Sequence, residues 1–567
     1  LALFVIAVVA IAAISAPWVN ILTDNADSAG MQAHLHAIFE ARDLLYDDEF
    51  AALRMSPLFA FVTERGVVSN HWPAGASFLQ APGWLLGRLA GLMLVGDGVS
   101  ERAATWTVPL LGLRCWALIV VAWLVARVHR WLLIRVDRHT ATLASVALLL
   151  GTPLLYYAAE SPLRPHLWGA AVVAVLTMRW FDAIEHAAAD PERASASLRR
   201  PVELALYAGL ATAVRPQLAI LAVLVAHERW LASAEMSVID RLELLVRHGA
   251  VSGAAFSIWP LLVLRMQIWM YGGLGDYGGE VSHHVRAFLL STHHGALIWC
   301  PVLVLGLLGL AIGVAGRERG AALLLVLFAA QIWLDAGTRE IEPFRVLGTR
   351  TWAGGTAFGP RKLLDAVPLL LPGVVWISRW LAGQAPSERR RWRRRLGAAT
   401  LLAVAPTILL FAASIVDPNV CSAIMDGDRL VIALGLGFDP GNWAQAWAQR
   451  ALPLKLTLTV AAVVGLPLAT LVILELRRRT GLAARGSPRP SWPPSWPPNW
   501  QWIAVLIAGL AAHAWLLHLE QRSAALLDAD PGRMERAAAQ LNPWHEATVA
   551  EIPRHQAQLR ARLGPDS

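Results

Sequence analysis

Apolar runs of about 20 residues, almost free of charge, recur along this chain and include residues 107–126, 250–264, 297–314 and 456–474. A run of that length inside a bilayer must satisfy every backbone N–H and C=O within itself, so it folds as a helix. Their recurrence, rather than any one of them, predicts an all-α polytopic membrane protein. Composition agrees, since 56% hydrophobic residues against 16% charged is too apolar for a soluble multidomain protein of 567 residues. The formal charge of +8 sits in arginine clusters at the ends of apolar runs, a pattern of membrane topology that argues against a nucleic-acid partner. Cys115 and Cys300 fall inside predicted spans and Cys421 in a loop, so they build no disulfide framework.

Topology follows from holding the arginine clusters on the cytoplasmic side. The clusters are Arg127, Arg130, Arg135 and Arg138, then Arg317 and Arg319, then the arginines of 389–395, then Arg477, Arg478 and Arg479. Residues 2–21 are expected as a first outward helix rather than a cleaved signal peptide. If 77–95 also crossed, 107–126 would deliver the first cluster to the wrong side, so 77–95 is expected to lie along the outer surface within a long external loop, 23–104. Residues 140–157 and 167–181 should span. Stretch 202–230 should form two half-length helices meeting at Arg215-Pro216, because proline ends a helix and arginine is costly in hydrocarbon. With 250–264, 297–314, 321–334, 363–380, 397–416, 456–474 and 503–517 the count reaches about 13 spans. Four further features are an external loop at 417–453, a Pro/Trp-rich linker at 480–500, a last transmembrane helix within 501–519 and a polar external tail at 520–567.

On this map the outer face collects the groups that can do chemistry. Asp24 and Asp27 follow the first helix, and a second acidic cluster comes at Asp43, Asp47, Asp48 and Glu49. A carboxylate fixed there can deprotonate a hydroxyl or hold a cation, or simply cap a helix, and both readings stand. Glu160 and His166 flank another outer turn. The pairs His283-His284 and His293-His294 lack the i, i+4 spacing of a zinc site. The glycine-rich stretch 351–360, starting Thr351-Trp352, leads into Arg361 and Lys362, a cradle suited to a phosphate or, equally, two snorkelling cations.

The order of these pieces resembles the GT-C superfamily of membrane glycosyltransferases, in its bacterial branch related to protein mannosyltransferases and lipid A aminoarabinose transferases. The likeness covers 1–380, with 381–479 as additional helices, and rests on Asp27 after the first helix, His71-Trp72-Pro73-Ala74-Gly75, Gly151-Thr152-Pro153, Arg215-Pro216, His294-Gly295 and Trp352-Ala353-Gly354-Gly355. It implies a GT-C-type fold and inverting transfer of a sugar from a polyprenyl-phosphate donor to a hydroxyl of a glycan, lipid or protein, on the periplasmic face of a bacterial inner membrane. Asp27, with Asp24 as competitor, would be the general base or the carboxylate that orients the acceptor. Arg215, Arg361 and Lys362 would bind the donor phosphate, and Glu160, His166, His294 and Trp352 would contact substrate. The chain departs from the usual pattern in having Ser28 after Asp27 and Ala74 within the turn. The resemblance fixes no cofactor and leaves metal dependence open. A Mg²⁺ or Mn²⁺ ion could share the phosphate's charge, but no loop offers an evident oxygen cage. The rival expectations are a transporter or flippase of lipid-linked sugars and a non-catalytic assembly protein.

Overall fold

Caps and prolines set the helix boundaries. The Ser100 hydroxyl accepts from the Ala103 amide, Asp137 from Thr140 and Ser237 from Asp240, each satisfying an otherwise orphaned N–H at a helix start. Pro165 opens a helix at a position where its missing N–H costs nothing. Gly272, in the left-handed region at φ 76°, closes the helix Val238–Tyr271. The structure, a computed structural model, describes residues 26–53, 61–95, 99–273, 281–291, 294–339, 358–416 and 500–539.

The described chain is all-α apart from one short antiparallel pair of strands, Val281–His283 with Gly337–Arg339. Among the described residues six helices are long and apolar enough to cross a membrane: Glu101–Leu133, Pro165–Ala189, Val238–Tyr271, Arg361–Ala382, Pro386–Phe411 and Gln501–Ala529. Val302–Ala315 and Ala321–Ala336 are shorter apolar helices. These features make the chain an integral membrane protein of several helices. The expected spans at 2–21 and 456–474, the loop 417–453 and the linker up to residue 499 lie outside the described residues.

Two expectations meet the structure in detail. The 202–230 stretch does break where predicted: Arg199–Val214 ends, Arg215 is extended at φ −147°, and a 3-10 segment Pro216–Ala222 leads into Val223–Ala232. The helix expected to lie along the outer surface, Gly75–Leu94, is not among the six long apolar helices and packs antiparallel on the first half of Glu101–Leu133. Gly83, Gly87 and Gly91 meet Leu113, Pro109 and Ala104 in turn, four residues against about four. At Gly87 a Cβ would fall 2.7 Å from the Pro109 Cα, so the contact demands glycine. Leu85, Leu89, Leu92 and Met93 remain on the exposed side.

Over its described part the tail beyond residue 520 packs on the first loop. Trp500–Ala529 continues as a helix against the first loop, where Ser523 accepts the Leu44 amide at 2.9 Å and the Trp515 indole donates to the Ile38 carbonyl. Glu520 pairs with Arg265, and Arg533 grips Asp47 at 2.7 and 2.8 Å. Pro165–Ala189 and Arg361–Ala382 run side by side in the same direction, from Gly169 against Asp365 to Glu185 paired with Arg379. That shared axis has a separate ion network at each end.

Candidate functional site

The site forms where the broken helix, the start of Pro165–Ala189 and the start of Arg361–Ala382 converge on the helix Ala26–His36. Because Pro216 forces Arg215 out of helical geometry, its guanidinium turns into this junction. There it donates to Asp365, to Asp335 at 3.1 Å and to the Lys362 carbonyl at 2.6 Å. Asp335 also accepts from Gln331 at 3.0 Å. Both carboxylates are fully buried, and His166 approaches Asp365 at 3.7 Å. A charge so deeply placed is tolerable only because it is paired. Lys362 acts electrostatically on Asp335, and Arg164, Arg361 and Lys362 all lie within electrostatic reach of His166.

Asp27 occupies the more accessible end. One of its oxygens receives the Arg361 guanidinium, and the other accepts the Trp72 indole N–H at 3.0 Å. Its side chain is 30% exposed, against 0% for Asp335 and Asp365. Burial works against its ionisation, but the charges of Arg361 and then Arg164, with the indole hydrogen bond, win and hold the carboxyl well below the usual carboxylate range. The Arg361 Nε is buried with no acceptor among the described residues.

Local chemistry places the indole. Gly30 lies one turn after Asp27, and its missing side chain leaves the space that the Trp72 ring fills. Asn70 holds the turn from behind, donating to the Gly30 carbonyl at 3.0 Å and accepting the Trp72 amide. The Trp72 carbonyl can only accept, so His34 Nε2 carries the proton that reaches it at 2.8 Å, and Nδ1 accepts from the Tyr46 hydroxyl at 2.8 Å. Burial pushes His34 down to about 4, so it is neutral and keeps this tautomer. Burial likewise pushes His71, whose ring lies against Trp72, down to about 4 despite Asp27. Tyr46 and Arg42 sit in the left-handed region at φ 61° and 60°, strain that the surrounding contacts must hold.

An aromatic wall borders the cluster. Tyr157 donates to the Phe358 carbonyl at 3.0 Å and its ring lies 5.7 Å from that of His166. Phe358 stacks on Tyr156, and Trp299 joins it to His294. Beside this region an apolar crevice of about 140 Å³ lies between four helices, with Thr152 and Val367 towards the cluster and His139 and Arg393 at the far end.

Of the residues singled out from the sequence, Asp27, His166, Arg215, Arg361 and Lys362 therefore come together, and His294 joins through Trp299. Glu160 is buried at the end of Leu154–Ala159, its amide on the Tyr156 carbonyl. Asp24 and Trp352 lie outside the described residues. Asp335, Asp365, Gln331 and Arg164 were not foreseen as site residues. The signal for Asp365 was present, because an ionisable group inside an apolar run needs a partner and marks a site. Among the described residues no group of three or more His, Cys, Asp or Glu side chains is arranged for a metal ion.

The class is thus an integral membrane protein of several helices with a buried cluster of ion pairs. Compared with family models, curated proteins and solved structures, the chain matches none, so no family is assigned.

Proposed function

We propose that this protein is an inverting glycosyltransferase of the GT-C kind that moves a sugar from a polyprenyl-phosphate donor to an acceptor hydroxyl at the outer face of a bacterial inner membrane. The observation that carries the reading is the Asp27–Arg361 pair: a partly accessible carboxylate and an anion-binding guanidinium share one site. In one displacement the acceptor oxygen gives its proton to Asp27 and attacks the anomeric carbon. The bond from that carbon to the phosphate oxygen breaks, and polyprenyl phosphate leaves with the electron pair. Arg361 and Lys362 receive the departing phosphate's charge. Arg215, already committed to two carboxylates and a carbonyl, holds the junction in shape rather than binding the phosphate directly. The apolar crevice offers a place for the lipid tail.

A transporter of lipid-linked sugars is the second reading, favoured by the broken helix at Arg215, since discontinuous helices with buried charge also build transport sites. Purified protein given a radiolabelled polyprenyl-phosphate sugar and acceptor membranes separates the two. The enzyme consumes donor and Asp27→Asn lowers the rate at least 100-fold, the lower range of general-base effects being about 100-fold. Intact donor would overturn the reading, and full activity in Asp27→Asn would remove Asp27 as the base.

A further inference from the structure

Asp27 cannot be an effective base while it is bound to Arg361. A carboxylate held by a guanidinium has little proton affinity, and a base works best when its affinity lies near the working pH. Arg361, for its part, has its bonded Nη1 on Asp27 and its Nε unsatisfied among the described residues, so it has a donor to give. Two features let the pair separate without dismantling the site. The pair lies at the accessible end, with side-chain exposures of 13% and 30%. Asp27 also keeps a second, independent anchor, the Trp72 indole, fixed over Gly30 and tied through its backbone to Asn70 and to the neutral His34–Tyr46 pair.

We propose that Asp27 and Arg361 form an exchangeable latch: an oxyanion of the phosphate class takes Arg361 from Asp27, and the freed carboxylate, held in place by Trp72, then accepts a proton. The inference rests on the preceding reading only for what the freed carboxylate does. It makes base activation conditional on the donor's phosphate, so an acceptor hydroxyl arriving alone meets a latched Asp27. Among the described residues the charged or titratable groups facing Asp27 are Arg361 and Lys362 from one helix start, Arg164 from before another, and His71 from the turn. Arg361 is the one of these bonded to it in the structure, and its removal dominates the change.

The test is a pH titration followed by the infrared band of protonated carboxyl that Asp27→Asn abolishes, on full-length protein in phosphatidylcholine nanodiscs. Saturating octyl phosphate should raise the Asp27 midpoint by at least one pH unit. Inorganic phosphate forms a parallel arm that tells a free phosphate from a lipid-borne one. Arg361→Gln should raise the midpoint with no ligand, and octyl phosphate should then add nothing. Linkage sets the reciprocal result: Asp27→Asn removes the competitor and should tighten octyl phosphate binding about tenfold for every pH unit by which that ligand raises the Asp27 midpoint. This tightening also guards against a variant that merely misfolds, which would bind more weakly. A midpoint that neither phosphate moves, an equal displacement by octyl phosphate in Arg361→Gln, or unchanged or weaker binding by Asp27→Asn overturns the latch. A midpoint that moves as expected without sugar transfer would instead overturn the enzymatic reading and leave the latch standing.

Discussion

The two ends of the helix Pro165–Ala189 carry ion networks built from the same residue types in opposite settings. At its start Arg215 bridges Asp335 and Asp365, with side-chain exposures of 6%, 0% and 0%. At its end Arg135 joins Asp182 and Glu185, and Arg379 joins Glu185 and Glu318, with exposures between 12% and 43%. Water and salt screen the second set, so each pair there adds little and losing one costs little. In the first set each charge depends on its partner, since a lone buried charge is worth several kcal/mol of penalty. Burial, not residue type, thus separates a site that must stay assembled from a fastening that can loosen.

The largest break of this contrast is expected from Asp365→Ala, which leaves Arg215 buried with half its counter-charge. It should cost about 3–5 kcal/mol in detergent thermal denaturation, whereas Glu185→Gln at the other end should cost under about 1 kcal/mol. Equal losses would erase the distinction. A smaller effect, about 1–3 kcal/mol, is expected for Gly30→Ala, whose methyl group would collide with the Trp72 ring. That variant should also raise the infrared midpoint of Asp27 as the indole is pushed off its oxygen. Smallest, counted per pH unit, is a pH effect at the site end. His34 is lowered in the fold from 6.5 to about 4, so between those values the unfolded chain binds the extra proton and stability falls as the pH drops. The slope is at most about 1.4 kcal/mol per pH unit for this group. Replacing it by Gln should make the fall of melting temperature over that window shallower, with His71 supplying the part that remains.

Much of the helical framework was legible because hydrocarbon leaves an apolar run few choices. The break at Arg215 was legible too, since proline's missing N–H is a local fact. The packing partner of Gly75–Leu94 was not, because charge bias says nothing about the four-residue glycine spacing that seats it against Glu101–Leu133. Asp27 and Arg361 were each picked out by position, but their pairing spans 334 residues of sequence and no periodicity encodes it. Asp365 is marked by its place in an apolar run, but its partner and that of Asp335 is Arg215, which reaches them only once the helix break has turned its side chain inward.

The grip of Arg533 on Asp47 has a consequence for how the molecule is made. The two residues are 486 positions apart. At about 5–20 residues per second a ribosome needs roughly 25–100 s to travel from one to the other. For that interval the loop bearing Asp27 is already exposed, while the helix that clasps it has yet to be synthesised. The fastening of the Asp47 segment is therefore made only after every described residue of the candidate site, from Asp27 to Asp365, has been synthesised.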